Sequence, residues 1–465
     1  MAEKKLSRRD FLRLSTLAAA GATLAACAPQ TATPAAVPAA EELPETVVVP
    51  AAEEGVTIQY WVFWSAYGGV VDDFKPALLE YIKPHDIDIK WGVSADEVFM
   101  TAVAAGTPPD IGTGHRYIAY MSKDRVIPID DLVAASTVIK KEYYPEPNWT
   151  ACFWKGRMYG IPANECFLRR GLNYNIKMIE DAGLDPDNVP TTWEGLFEWH
   201  KKLTKFDAAG NVMQIGLDPY DAEGCVWSSD GYLQAESFGA KWFDENTREI
   251  TLDTDEMAES FDVMGEFIKV IGPDNLAGVR GVEGQGTWGG SFNAQVQAMI
   301  IEGYWHPGET AAEKPEVSKL NRCTWVPVPE RRKGAKMQFA GGHMVFLYKG
   351  AKVSPQITFK VGEFLQTQDH CEPVFRKIGW LPAYIPYLDT VDASIYPGLD
   401  FYFKSLKETT EWHGWLKCEI EGFIEVKVAE IREKHFRGDY KTGREAAAAF
   451  HEAVVKEYKE AGFGS

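Results

Sequence analysis

The chain has 465 residues, 45% apolar, 25% charged and 12% aromatic, a globular composition on a length that exceeds what one hydrophobic core organises. Its 48 basic residues against 67 acidic ones give a formal net charge of −19, which argues against nucleic acid or an anionic membrane surface as the main partner. None of the nine histidines stands in a His-Glu-x-x-His or comparable ligand spacing, so neither a catalytic metal nor a cofactor is expected.

The chain opens with Ser7-Arg8-Arg9-Asp10-Phe11-Leu12-Arg13, the form of a twin-arginine export signal. The apolar run 14–26 behind it is too short to span a bilayer as a stable helix. It ends Leu24-Ala25-Ala26-Cys27, which resembles a bacterial lipobox, and that resemblance implies acylation of the Cys27 thiol and cleavage just before it. Residues 1–26 are then a signal peptide. Residues 27–55 are a flexible tether of Ala, Pro, Thr, Val and Glu that lacks the apolar surface to offset its ordering entropy. Six further cysteines, Cys152, Cys166, Cys225, Cys323, Cys371 and Cys418, are widely spaced, and disulfides and buried thiols both remain open.

The folded body should begin with a strand over 56–63, a glycine-bearing loop, and a helix from about Val70 with Val70, Val71, Phe74, Leu78, Leu79 and Ile82 on one face. Strand, loop and helix in that order open an α/β lobe, in which ligands meet the loops at the carboxyl ends of strands. Trp64 and Tyr67 are therefore expected at a cleft, with core packing as the alternative. A second strand over 86–91 leads to a helix closed by Gly106 and stopped by Pro108-Pro109. The loop 112–117 follows, in which His115, Arg116 and Tyr117 offer donors and a ring. The spacing of Thr191 and Glu194 predicts a capping box, and a helix carrying Trp193, Leu196, Phe197, His200 and Leu203 on one face, with His200 a satisfied core histidine.

Between these regions runs the stretch 154–175, with a tight turn at Lys155-Gly156-Arg157, a short strand into Pro162, and a second strand ending Leu172-Asn173-Tyr174-Asn175. Gly156-x-x-Tyr159-Gly160-Ile161-Pro162 followed by Leu172-x-Tyr174-Asn175 resembles the extracellular solute-binding proteins of ABC importers, the class that includes maltose-binding proteins. The same resemblance is carried by Ala105-Gly106-x-x-Pro109-Asp110, by Ala298-Met299 with Gly303-x-Trp305, and by Gly379-Trp380-Leu381-Pro382-Ala383.

The resemblance implies an α/β chain with a two-lobe periplasmic-binding-protein fold, an interlobe hinge and a central ligand cleft. Lobe 1 would hold 56–163 plus 327–369 and lobe 2 would hold 164–326 plus 370–465, with crossings near 161–173, 325–329 and 365–374. It implies a monomeric, membrane-anchored binding protein without catalytic chemistry, which hands a small polar solute to an ABC permease. The 15 tryptophans favour a carbohydrate, whose C–H faces lie on aromatic rings. The cleft would be lined by Trp64, Tyr67, His115, Tyr117, Glu165, Trp227, Trp305 and Trp380. A secreted carbohydrate-active hydrolase is the alternative. Its candidate acid and base pairs, Asp72-Asp73 and Asp130-Asp131, are adjacent residues whose side chains diverge, and no nucleophile elbow or phosphate loop is present.

Overall fold

The computed structural model describes residues 55–62, 65–92, 96–114, 117–162, 167–222, 232–283, 290–341 and 343–463. Cys27 and the tether up to residue 54 lie outside them.

The first half starts with β1 (Thr57–Val62), α1 (Val71–Tyr81), β2 (Asp86–Lys90) and β3 (Ile111–Gly114). β1 pairs in parallel with both other strands, and Val71, Phe74 and Leu78 turn the buried face of α1 onto the sheet, as the spacing predicts. The short α2 (Glu146–Ala151) then precedes a tight hairpin of β4 (Phe153–Trp154) and β5 (Arg157–Met158), in which Lys155 and Gly156 hold positive φ angles of 47° and 81°. β6 (Gly160–Pro162) ends this half.

The chain next enters β7 (Gly171–Asn175), the start of a second sheet. α3 (Trp193–Leu203) follows, then β8 (Lys205–Phe206), β9 (Val212–Ala222), the hairpin β10 (Phe243–Asp244) and β11 (Glu249–Ile250), α4 (Asp255–Ile271), β12 (Gln297–Glu302), α5 (Trp305–Glu313) and β13 (Asn321–Thr324). The sheet order is β13-β7-β12-β9-β8, with β9 and β12 parallel and the other pairings antiparallel. The expected capping box does not form at the head of α3. Thr192 is the cap, its Oγ1 accepting from Gly195 N at 3.3 Å, and the Glu194 carboxylate instead accepts from Glu330 N at 3.0 Å. His200 is a core histidine, as its place on the apolar stripe implies. Its Nδ1 accepts from Leu217 N at 3.1 Å, which leaves Nε2–H to donate to Phe267 O at 3.0 Å.

β14 (Met337–Phe339) brings the chain back, and β15 (Met344–Leu347) inserts between β3 and β6, completing the order β2-β1-β3-β15-β6. The return therefore falls later than 325–329, because Val326 and Val328 are buried in the core of the second half. α6 (Pro355–Phe364) and α7 (Gln368–Ile378) remain with the first half, where Leu365, Cys371, Val374 and Phe375 join its core. The boundary expected at 369/370 lies inside α7. After α8 (Leu399–Glu408), β16 (Glu411–His413) pairs in parallel with β14, and α9 (Glu421–Arg437) and α10 (Gly443–Glu460) pack with α4 in a third buried cluster. The passages between halves are tied together at one point. Arg170 N donates to Gln338 Oε1 at 3.0 Å, while Gln338 Nε2 donates to Arg170 O at 2.7 Å and to Ser405 Oγ at 2.9 Å.

Among the described residues no helix is long and apolar enough to cross a membrane, and no cluster of three His, Cys, Asp or Glu is placed to hold a metal. Cys152, Cys323, Cys371 and Cys418 are free thiols. Cys166 and Cys225 lie outside the described residues.

Candidate ligand cleft

At the carboxyl end of β12 the chain passes through Gly303 and Tyr304 into α5, which opens with Trp305. The indole Nε1–H donates to the buried Glu302 Oε2 at 2.9 Å. The ring lies flat over Gly303, where a Cβ would stand 2.3 Å from Trp305 Cζ3, so no larger residue fits there without moving it. Above the indole sits the Arg169 guanidinium, 5.0 Å from the Trp305 ring centre and 5.1 Å from that of Trp415. The result is a layered wall of indole, guanidinium and indole, backed by Phe339, whose ring also takes Arg170 at 4.9 Å. His343 is buried nearby. Burial, and then the Arg169 charge, hold its imidazole well below the ordinary histidine range, so it is neutral.

Trp415, at one end of this stack, also lines a cavity of about 400 Å³, in the range of small-molecule sites. Its lining includes Glu236, Trp242, Arg332, Trp412, His413 and Trp415. An adjoining cavity of about 340 Å³ shares Trp412, His413, Trp415 and Lys417 and adds Glu146 and Thr150 from α2. The two meet along 412–417, with Glu146–Ala151 of the first half bordering the second cavity and 236–245 of the second half bordering the first, and together they are taken as one groove. Its charged groups are already organised. Glu236 pairs with Arg170 at 2.5 Å and faces His413 Nδ1 at 3.5 Å. Burial alone would raise the Glu236 carboxyl, but the Arg170 charge, followed by His413, outweighs it and holds the group down at about 2. Arg332 pairs with Glu411 and donates to the carbonyls of Glu236 and Ser237 at 2.8 and 2.6 Å.

The sequence-expected positions fare differently. Trp305 is buried in the stack with Arg169 and is not among the residues that line either cavity. Trp380 is buried against α5, 3% exposed, its Nε1–H donating to Glu309 Oε1 at 3.0 Å. Tyr67 is not at the cleft. It is fully buried in the first core, its hydroxyl 2.6 Å from His370 Nε2, because His370 Nδ1–H is taken by Leu365 O at 2.9 Å and leaves Nε2 as an acceptor. Tyr117 starts a short helix just after β3, and nothing further of its side chain is described. Trp64, His115, Glu165 and Trp227 lie outside the described residues. Sequence reasoning missed Arg169, Glu236, Trp412, His413 and Trp415. The available signals were the arginine pair in the crossing stretch and the Trp412-His413-Gly414-Trp415 run.

Two α/β halves joined through adjacent passages, with an aromatic and charged groove between them, define a protein built to enclose a small solute. The sequence profile of the bacterial extracellular solute-binding proteins matches residues 68–367, more than half of the chain, and the protein belongs to that family. No curated protein matches at the sequence level. Among solved structures, the chain is similar to an ABC substrate-binding protein from Listeria monocytogenes in complex with cycloalternan, at 18% identity over 87% of this chain and 100% of that one, with a TM-score of 0.69. It is similar to the GacH receptor of Streptomyces glaucescens, solved unliganded and with acarbose, at 15% identity over 88% and 100%, TM-score 0.69. It is also similar to the sugar-binding protein MalE from Xanthomonas citri, at 16% identity over 86% and 96%, TM-score 0.66. The fold is thus the two-lobe periplasmic-binding-protein fold.

Proposed function

We propose that this protein captures a sugar or oligosaccharide in the groove between its lobes and delivers it to an ABC permease. The observation that carries the reading is the groove itself, where Trp412 and Trp415 offer apolar faces beside fixed carboxylate, guanidinium and imidazole groups. Carbohydrates need that combination, since their C–H faces stack on rings while their hydroxyls exchange hydrogen bonds with charged partners. The sugars bound by the similar solved structures support the same ligand class. Trp64, His115, Tyr117, Glu165 and Trp227 are further proposed ligand contacts. Capture requires no chemistry, and the protein is not an enzyme.

The export signal and Cys27 support a lipid-anchored protein on the outer face of the cell membrane, with 28–55 as tether, and we take it to act as a monomer. Cys27→Ser should move the protein from washed membranes to the soluble fraction, and retention in the membranes would require another anchor. For the ligand, purified protein is screened by thermal shift against mono- and oligosaccharides, with product analysis of each mixture. A ligand that binds only the folded state raises the midpoint. A panel with no shift, or turnover of any glycan, would refute the reading.

A further inference from the structure

We infer that the β4–β5 turn of the first lobe and the Arg248 and 417–419 region of the second form a clasp that holds the groove closed. The two sides belong to different hydrophobic clusters. Trp154 is buried in the first core, and its hairpin is fixed there by Met158 N donating to Asp130 Oδ1 at 3.1 Å and Ile129 N donating to Met158 O at 2.8 Å. Cys418, by contrast, belongs to the helical cluster of the second lobe, as does Ile250 beside Arg248.

Three contacts join them. The Arg248 guanidinium lies 5.4 Å from the Trp154 ring centre, Lys155 Nζ approaches Glu419 Oε1 at 3.9 Å, and Lys417 Nζ donates to Thr150 O at 3.2 Å. Thr150 and Lys417 also line the groove, so the clasp is its rim.

Each side stays satisfied when the contacts part. Arg248 keeps its ion pair with Glu419, which Tyr458 Oη–H also bonds at 3.2 Å, and keeps the Phe243 ring at 4.5 Å. Lys155 is already 68% exposed, and the exposed Thr150 carbonyl can take water instead. No buried charge is stranded by opening, so open and closed forms are both accessible and the clasp biases the choice between them.

The inference rests on lobe motion but not on the identity of the solute, and it is tested without ligand. In the full mature chain, Lys155→p-benzoyl-phenylalanine is irradiated and the cross-linked peptides are identified by mass spectrometry. The expected product joins the β4–β5 turn to peptides containing 248 or 417–419; its absence overturns the clasp. In the same background Arg248→Lys retains the Glu419 pair but loses the planar group on Trp154, and Lys417→Met removes the bond to Thr150. Together they should lower the cross-link yield roughly fivefold, the equivalent of about 1 kcal/mol, with the unfolding midpoint within about 2 °C of the parent, a shift of under ~1 kcal/mol for a chain this long. An unchanged yield overturns the inference, and so does a large midpoint loss, which would make the contacts part of ordinary stability. A clasp that forms in a protein that shifts with no sugar would overturn the carbohydrate reading alone.

Discussion

Gly303→Ala is the smallest change that tests the wall. The added methyl would stand 2.3 Å from Cζ3 and 2.4 Å from Cη2 of Trp305, where carbon atoms need about 3.5 Å. The indole must therefore slide by roughly 1 Å, which breaks the 2.9 Å bond to Glu302 and moves the ring from under Arg169. Loss of a stacking surface and of the ordered cation above it amounts to about 1–3 kcal/mol of ligand binding, roughly a 5- to 150-fold rise in Kd. Overpacking costs the ligand-free fold about 1–3 kcal/mol as well. Titration calorimetry with the sugar that gives the largest thermal shift reads the first quantity, and urea unfolding reads the second. The double variant Gly303→Ala with Trp305→Ala separates them, because the space is restored and the ring is gone. Stability should recover in part while affinity stays low. If folded Gly303→Ala binds as tightly as the parent, or if affinity returns once the indole is removed, Trp305 has no place in the site.

Burial lowers the imidazoles of His306 and His370 to about 3 and that of His200 to about 4, so the folded protein keeps them neutral while the unfolded chain protonates them near 6.5. Their contribution is complete above pH 6.5 and is lost as pH falls toward 3–4. Three such groups remove about 5 kcal/mol between pH 6.5 and 5, and urea unfolding that loses under about 1 kcal/mol over that range would contradict their burial. Glu236→Gln leaves Arg170 buried without its carboxylate and should cost about 3–5 kcal/mol, read as a lower unfolding midpoint at pH 7. Because Glu236 is held at about 2 in the folded state, the penalty of the variant should shrink as pH drops below the ordinary carboxylate range. Gly443→Ala places a methyl 1.9 Å from Ala258 O, where α10 meets α4, and should lower the midpoint without changing the affinity of the folded protein.

Local order was legible where periodicity and turn chemistry act over a few residues. The strand before the first loop, the apolar face of α1 and the core role of His200 all follow from spacing. The expected crossings were displaced because a Pro-containing run such as 325–329 looks the same whether it leaves a lobe or packs against it, and only the burial of Val326 and Val328 decides. Tyr67 looked like a cleft residue because its hydroxyl partner, His370, lies 303 positions away. Trp412 and Trp415 escaped notice for a related reason. Their segment carries no period, and it reaches the groove only because β16 pairs with β14, more than seventy residues earlier.

The position of β15 has a consequence for how the chain must be made. That strand joins β3 to β6 in the first sheet, yet it arrives after the whole second sheet has been synthesised. Until Leu347 emerges, β3 and β6 have no common neighbour, and each presents an open, apolar edge to whatever chain is near. A polypeptide cut short after β13 would carry every residue of the second sheet and still be unable to close the first. Such a fragment should aggregate rather than persist as half a receptor. Loop closure over nearly two hundred residues also makes completion of the first lobe a late and slow event, so the amino-terminal lobe is the last to become rigid.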